Sequence, residues 1–242
     1  MNGSVQAEAV GQVIGLWRYP VKSMAGEALD KVDVSWHGLT GDRRWAFVRD
    51  LAAPSGFPWL TLRERADMSH YQPTFVDPDL PDHSPVRVRT PTGTELGITD
   101  PALASELHPA TVRVIKQDRG VCDTFPVSII TTQTIRRLAT LTGAELDVRR
   151  FRPNILVEAT VAGDFPEDQW VGRILRVGSL RLRVDKRDVR CVVITIDPTT
   201  TERNTTILRT VISDRQGCLG VYASTVEPGL VTLNDAVFVE PA

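Results

Sequence analysis

Hydrophobic and polar residues alternate along many short stretches of the chain, which is the pattern of half-buried β-strands. Such stretches lie at residues 12–18, 32–36, 42–48, 60–63, 86–89, 111–116, 155–157, 173–177, 180–184, 219–223, 230–233 and 236–239. The turn at residues 91–94 predicts a hairpin after one of them. Prolines and aspartates dominate residues 73–85 and predict an irregular surface segment.

Helical patterns are fewer than strand patterns. Residues 131–143 place Ile135, Leu138 and Ala139 on one face, with threonines that can cap the start and Gly143 that can end the helix. A second helix follows Asn204 as its cap and carries an apolar stripe. The stripe comprises Ile207, Leu208, Val211 and Ile212. A short helix is also predicted within residues 99–110. Because strands outnumber helices by about four to one, the sequence predicts a β-rich barrel or another all-β fold.

Residues 180–198 combine the strand pattern with the most reactive side chain. The alternation in residues 180–185 is followed by a predicted charged turn at residues 186–188. Cys191 directly precedes a run of β-branched residues at 192–196, which we predict to be a strand. Arg190 and its neighbouring positive charge favour a thiolate, the form that attacks electrophiles or binds a soft metal. The alternative, a small buried hydrophobic cysteine, remains open at this point.

Composition excludes several classes of function. The chain has 242 residues, 42% of them hydrophobic, and a net charge of −2, so it lacks the basic excess of a nucleic-acid-binding protein. Its three cysteines, Cys122, Cys191 and Cys218, include no Cys-x-x-Cys pair and indicate a reducing compartment. No signal peptide or membrane-length apolar run is visible. We therefore expect a cytoplasmic protein that binds neither membranes nor nucleic acid.

Polar clusters stand at the ends of predicted elements. They are Lys22–Ser23, Asp42–Arg43, Thr131–Thr132, and Arg152 with Asn154. Lysine, arginine, hydroxyls and a helix N-terminus are the groups that hold a phosphate. Each cluster alone is more typical of solvated surface or of a helix cap. The four histidines are scattered, and no Gly-x-Ser-x-Gly, P-loop or Gly-x-Gly-x-x-Gly motif is present.

A family resemblance connects these clusters. The chain resembles the MOSC family (molybdenum cofactor sulfurase C-terminal domain) in its two-part form. The matching residues, in order, are Tyr19–Ser23, Gly41–Arg43 with Trp45, Phe151–Asn154, Pro166–Trp170, Arg190–Cys191 and Asp197–Pro198. They extend over about residues 10 to 239 and imply an N-terminal MOSC-associated β-barrel domain at 10–115 and a MOSC domain at 116–240.

The resemblance implies both a cofactor and roles for particular residues. The family includes the mitochondrial amidoxime-reducing component and bacterial relatives, which carry a molybdenum cofactor and reduce N-hydroxylated compounds. By this resemblance Cys191 is the molybdenum ligand, and Arg190 supports the thiolate and tunes the metal. The residues expected to hold the pyranopterin and its phosphate are Lys22, Ser23, Arg43, Thr131, Arg152 and Asn154. We add Arg63 to this predicted set, so both halves of the chain contribute to one site.

The expected activity is a molybdenum-dependent reduction of a small molecule with an N–O or S–O bond. Some relatives add a ferredoxin domain with four cysteines, which this sequence lacks. Electrons are therefore expected from a separate ferredoxin-like protein or flavin reductase. The alternative is a module that carries the cofactor or sulfur without turnover. The sequence departs from the family at two positions. Relatives usually have Gly–Asp before the final strand, where this chain has Asn234–Asp235, and many have phenylalanine or a similar residue at the position of Cys218.

Overall fold

A computed structural model of the chain describes residues 7–49, 58–108 and 112–241. The first nine strands are β1 (Glu8–Arg18), β2 (Glu27–Ala28), β3 (Lys31–Ser35), β4 (Gly38–Leu39), β5 (Trp45–Arg49), β6 (Gln72–Phe75), β7 (Val86–Arg89), β8 (Glu95–Gly97) and β9 (Val112–Lys116). The remaining strands are β10 (Val127–Thr131), β11 (Ile155–Ala159), β12 (Ile174–Val177), β13 (Leu180–Val189), β14 (Cys218–Glu227), β15 (Gly229–Thr232) and β16 (Ala236–Val239). The α-helices are α1 (Pro101–Leu107), α2 (Thr132–Thr142) and α3 (Thr205–Arg215). Short 3-10 helices lie at Ala66–His70, Val148–Phe151, Pro166–Trp170 and Val192–Thr195.

Seven of the strands close into a barrel, which confirms the predicted β-rich fold. Around the barrel they run β1, β11, β10, β14, β13, β12 and β16, and β16 pairs again with β1. Only β10 and β11 are parallel neighbours; the other pairs are antiparallel. Closure leaves no unpaired barrel edge, so the register of each strand is fixed from both sides.

Alternation along the barrel strands separates an apolar interior from a polar outside. In β14, Val221 and Ala223 are buried in the barrel core, and Tyr222 between them lies on the other face. In β10, Val127 and Ile129 point inward in the same way. Successive side chains of a strand alternate between faces, so these short patterns determine which residues can border a site outside the barrel.

Three smaller sheets of the described residues lie outside the barrel: β15–β3–β4, β5–β9 and β6–β7–β8. Val32, Val34 and Val231 of the first sheet belong to the barrel core, whereas the other two sheets surround a second core. Phe47, Met68, Tyr71 and Leu103 are among the buried residues of this core. The division into domains at residues 115 and 116 stays a prediction. β1, which precedes that position, is a barrel strand, and β15, which follows it, pairs with β3.

The first long helix begins and ends as predicted, and the second begins as predicted. Thr131 caps α2 by accepting a hydrogen bond from the backbone N–H of Thr134, and Gly143 ends it in the left-handed conformation at φ 64°. Asn204 caps α3 by accepting from the N–H of Thr206. The predicted stripe of α3 is wrong at Ile212, which is 57% exposed. No helix among the described residues has the length and apolar character needed to cross a bilayer.

The predicted turn and strand around Cys191 are wrong. Residues 186–188 belong to β13, and Val192–Thr195 forms a 3-10 helix in which the Ile194 N–H donates to the Cys191 carbonyl. A short apolar run can be a buried strand or a buried helical turn, and periodicity alone does not separate them. Here the run packs against α3 and the helical turn at Val148–Phe151.

Two further predictions needed correction. Residues 60–63 hold no strand; a turn follows the isolated bridge of Trp59. Residues 72–75 form β6, which pairs with β7, although the segment from Pro73 was predicted to be irregular. A proline is tolerated there because β6 lies at the edge of its sheet. Residues 109–111, where the predicted helix and the next predicted strand meet, lie outside the described residues.

Truncation of a barrel-interior side chain should destabilise the fold. Leu182 is fully buried opposite Leu175, so Leu182→Ala removes packed methyl groups and leaves a cavity. We expect the free energy of unfolding to fall by about 2–5 kcal/mol. Denaturant unfolding measures this change, with Ile212→Ala on the exposed side of α3 as the control, expected to stay within about 0.5 kcal/mol. Equal effects of the two substitutions would contradict the assignment of the barrel core.

Candidate functional site

A cleft of about 320 Å³ lies where the N-terminal part meets the outer face of the barrel. Its volume falls in the usual range of small-molecule sites, which is about 300–1,000 Å³. Eight of the nine residues predicted for the cofactor line this cleft: Lys22, Ser23, Arg43, Arg63, Arg152, Asn154, Arg190 and Cys191. The structure thus places side chains from both halves of the chain around one cavity.

Thr131 is the predicted residue that does not line the cleft. It is fully buried at the end of β10, where its hydroxyl donates to Glu167 Oε2 at 2.7 Å and accepts from the Thr134 N–H. Burial raises the pKa of Glu167. The hydroxyl of Thr131 is therefore committed to the start of α2 and to a buried carboxyl group.

Tyr19 joins the two halves at the centre of the site. The guanidinium carbons of Arg43 and Arg152 lie 4.7 and 4.2 Å from the centroid of its ring. The Tyr19 hydroxyl donates to the Pro153 carbonyl at 3.0 Å, and Arg43 Nη2 donates to the Arg152 carbonyl at 3.2 Å. Burial raises the pKa of Tyr19 to about 12, so its ring stays neutral between two cations.

Arg152 keeps unused hydrogen-bonding capacity. Its Nη1 donates to the Met24 carbonyl at 2.7 Å, whereas its Nη2 is buried without a partner among the described residues. Burial, together with the positive charge of Arg43, lowers the pKa of Arg152 to about 10. The guanidinium group is still protonated at neutral pH, and an anion in the cleft would relieve its desolvation.

Arg43 and Asn154 are held by neighbours rather than by solvent. Arg43 Nη1 pairs with Asp42 and lies 3.4 Å from Asn154 Oδ1. Asn154 is fully buried; its Oδ1 accepts from the Ser128 N–H at 3.1 Å and its Nδ2 donates to the Trp17 carbonyl at 3.2 Å. The amide of Asn154 therefore fixes the backbone around the cleft and orients Arg43.

Three cleft residues have left-handed backbone conformations. They are Ser23 (φ 69°), Arg43 (φ 50°) and Arg152 (φ 50°). Residues with side chains disfavour this region, and each such position costs on the order of 1–3 kcal/mol unless its surroundings hold it. The contacts of Arg43 and Arg152 with Tyr19 and with each other supply such surroundings.

A chain of charges leads from Lys22 to the Cys191 sulfur. Lys22 Nζ lies 2.5 Å from Asp123 Oδ1, and Arg63 Nη2 lies 3.2 Å from Asp123 Oδ2. The same Arg63 nitrogen is 3.5 Å from Cys191 Sγ. Burial lowers the pKa of Lys22, although Asp123 opposes the shift. The pKa of Asp123 falls because the attraction of Lys22 and Arg63 outweighs its desolvation.

The structure gives Arg190 a different position from the one expected beside the thiolate. Its guanidinium group donates to the carbonyls of Leu219 at 2.7 Å and Phe151 at 2.8 Å. It also pairs with Asp188 Oδ2 at 3.0 Å. The guanidinium group at 3.5 Å from the Cys191 sulfur is that of Arg63, which comes from the N-terminal part of the chain.

Sequence reasoning missed several residues that line the cleft. They include Cys122, Asp123, Ser128, Asp188 and Tyr222. Strand alternation could have indicated Ser128 and Tyr222, because each is a polar residue between two inward-facing apolar ones. Cys122 is a second thiol in the cleft, and burial raises its pKa. Cys218 lies elsewhere, with its Sγ 3.8 Å from the Gln216 carbonyl oxygen.

The cleft as a whole favours an anionic guest and offers a thiol. Among the described residues no group of three or more histidine, cysteine, aspartate or glutamate side chains could hold a metal ion. Six cations line the cavity together with Cys191: Lys22, Arg43, Arg63, Arg150, Arg152 and Arg190. The arrangement can bind a negatively charged molecule and present one sulfur ligand to it.

Comparison with solved structures supports the fold. The YuaD protein from Bacillus subtilis aligns with a TM-score of 0.52 at 12% sequence identity, covering 97% of this chain and 98% of that one. YiiM from Geobacillus stearothermophilus aligns with a TM-score of 0.39 at 12% identity, covering 48% of this chain and 55% of that one. A search of curated proteins found no match.

Comparison with protein families identifies both parts of the chain. Residues 10–125 match the MOSC N-terminal beta barrel domain. Residues 116–238 match the MOSC domain. The second match alone covers half of the 242 residues, and the first covers most of the remainder. The chain therefore belongs to the MOSC domain family.

Proposed function

We propose that this protein binds a molybdenum cofactor in the cleft and reduces a small molecule that contains an N–O or S–O bond. MOSC domains are associated with molybdenum cofactor binding. The observation that carries the proposal is the convergence of six cations and the Cys191 thiol on one cavity, from both parts of the chain. Composition alone does not produce such a convergence, because the net charge of the chain is −2.

Unpartnered guanidinium nitrogens support the fit of an elongated anion. Arg150 Nε, Arg152 Nη2 and Arg190 Nη2 are buried without a partner among the described residues, and all three residues line the cleft. Buried donors left unpaired cost about 1–3 kcal/mol each, more for charged groups. A phosphate or a polar ring system that accepts from them would recover this free energy. The donor set therefore fits a pyranopterin with a terminal phosphate.

Each residue has a distinct part in this proposal. Cys191 would supply the thiolate ligand, and Arg63, 3.5 Å from its sulfur, would stabilise that negative charge. Arg43 and Arg152, stacked on Tyr19, would hold the phosphate or pterin. Lys22 and Ser23 would complete the cation-lined wall. When bound, the cofactor supplies the two-electron chemistry, and the protein supplies orientation and charge.

The proposed substrate is an N-hydroxylated base or a similar small molecule. The electrons would come from a separate protein, a ferredoxin-like carrier or a flavin reductase. The direct experiment is expression in a host that makes the cofactor, followed by metal analysis and a reduction assay with a chemical electron donor. Molybdenum near one per chain with turnover supports a reductase. Retained molybdenum without turnover on any N–O or S–O substrate would instead indicate a cofactor carrier.

Loss of the sulfur ligand should abolish activity while the fold survives. Cys191→Ser changes the volume little, but a hydroxyl is a poor ligand for a metal that prefers thiolate. We expect no molybdenum-dependent reduction and an unchanged unfolding transition by circular dichroism. Cys218→Ser is the matched control and should keep full metal content, because Cys218 does not line the cleft. A serine variant at position 191 with normal turnover would exclude Cys191 as the ligand.

Removal of either arginine beside Tyr19 should weaken cofactor binding. A charged hydrogen bond is worth roughly 1.5–3 kcal/mol, so Arg43→Ala and Arg152→Ala should each lower affinity by about one to two decades. The measurement is molybdenum and pterin content after purification and dialysis. Arg136→Ala is the control, because that arginine lies on α2 with a side chain 66% exposed and pairs with Glu158. Similar losses in all three variants would contradict a specific role for the Tyr19 pair.

A further inference from the structure

Three polar side chains share the outer face of the barrel where it borders the cleft. Ser128 on β10 is the direct cross-strand partner of Tyr222 on β14. Asp188, near the end of β13, is a third member, and all three residues line the cleft. The proposed binding of the cofactor uses none of them, so their presence at the cavity wall calls for a separate explanation.

Asp188 is a buried carboxyl group, and its two oxygens differ in their hydrogen bonds. The residue is 1% exposed, and its Oδ2 accepts from Ser128 Oγ at 3.1 Å and from Arg190 Nη1 at 3.0 Å. Its Oδ1 is buried with no partner in standard hydrogen-bond geometry among the described residues. The phenol of Tyr222 nevertheless lies close enough to interact with the carboxyl group, and Arg43 is a further cation that acts on it.

Both groups line the cleft and are placed to move a proton, although Asp188 also pairs with Arg190 at 3.0 Å. Burial raises the pKa of Asp188, against the opposing effects of Arg190, Tyr222 and Ser128. Burial, together with the charge of Asp188, also raises the pKa of Tyr222, so its phenol stays neutral and, once it has given up its proton, is readily reprotonated by a carboxyl group. Tyr222 is more accessible than Asp188. Asp123, the carboxyl group between Lys22 and Arg63, has a lowered pKa and is therefore held ionised.

Resting on the proposed reductase function, we propose that Asp188 and Tyr222 form a relay that delivers a proton to the oxygen leaving the substrate. Reduction of a hydroxylamine-type substrate, R₂N–OH, takes two electrons and two protons and produces R₂NH and water. The N–O bond breaks, the Tyr222 hydroxyl gives its proton to the departing oxygen, and the Asp188 carboxyl group reprotonates the phenol. Solvent supplies the proton on nitrogen and restores Asp188. The electron carrier supplies both electrons.

The relay is tested with Asp188→Asn, Tyr222→Phe and the double variant, all loaded with cofactor and reduced by a viologen dye. General acid catalysis is worth about 10²–10⁴-fold, so each single variant should lose about 10²-fold in kcat at unchanged molybdenum content. Because the two side chains act as one unit, the double variant should be no slower than either single variant. Asp188→Glu should restore part of the rate.

The pH profile separates a proton source from a structural role. A group that must be protonated gives a rate that falls as pH rises through its pKa, so the wild type should lose activity on the alkaline side. Asp188→Asn should lack this limb, and Asp123→Asn, the other cleft carboxyl, should keep it. Variants that bind the cofactor normally and keep the wild-type rate and profile would overturn the relay and leave the reductase proposal intact.

A second readout does not depend on turnover. In an infrared pH titration of the cofactor-free protein, one protonated carboxyl band should persist to higher pH than those of ordinary carboxyl groups; Asp188→Asn should remove it and Asp123→Asn should retain it. The absence of any such band overturns the relay, whatever the activity. A wild-type protein that loads molybdenum and reduces no N–O substrate overturns the proposed function, and the relay is rejected with it.

Discussion

The guanidinium groups of Arg43 and Arg152 both contact the Tyr19 ring, and this contact joins residues that are far apart in sequence. Both arginines have left-handed backbone conformations, which cost free energy and persist because the ring and the neighbouring carbonyls hold them. The cation-lined cleft depends on this arrangement. The positive charge of Arg43 acts unfavourably on Arg152, and the attraction of each guanidinium group to the Tyr19 ring offsets part of this repulsion.

The two carboxyl groups that line the cavity, Asp123 and Asp188, have pKa values shifted in opposite directions. At one end, Asp123 is shared by Lys22 and Arg63 and stays ionised. At the other, Asp188 is buried and its pKa is raised. Pairs of titratable groups whose environments push their pKa values apart are characteristic of sites that both bind charge and move protons. One carboxyl group organises the cations near the thiol, and the other can hold a proton.

Sequence patterns predicted the elements better than the connections around the site. The caps of α2 and α3 were predictable because Thr131, Gly143 and Asn204 act through local backbone geometry. The 3-10 helix after Cys191 was not, because its apolar residues satisfy packing against α3 that no local pattern contains. Arg63 was predicted near the cofactor, but its contact with the Cys191 sulfur depends on tertiary folding across 128 positions.

The asparagine at position 234, where relatives usually have glycine, is explained by its local backbone conformation. Asn234 has φ 71°, and asparagine is among the few residues besides glycine that adopt the left-handed region readily. The Asp235 carboxylate accepts from the Thr232 N–H at 2.8 Å and closes the turn before β16.

Asp188, Ser128 and Tyr222 were missed as cleft residues because the alternation patterns were used only to find strands. The same patterns were not used to identify the side chains that point away from the barrel core.

Barrel closure also has a consequence for how the chain folds. β1 is synthesised first, yet its two barrel neighbours are β11 and β16, and residue Glu8 pairs with Val239 near the other end of the chain. Contacts of such long range form slowly, because the entropy of closing the loop must be overcome before the pairing stabilises anything. On the ribosome β1 must wait for nearly the whole sequence, with its edges open to other chains. A fragment confined to residues 116–238 would lack β1, so β11 and β16 would each carry an open edge permanently.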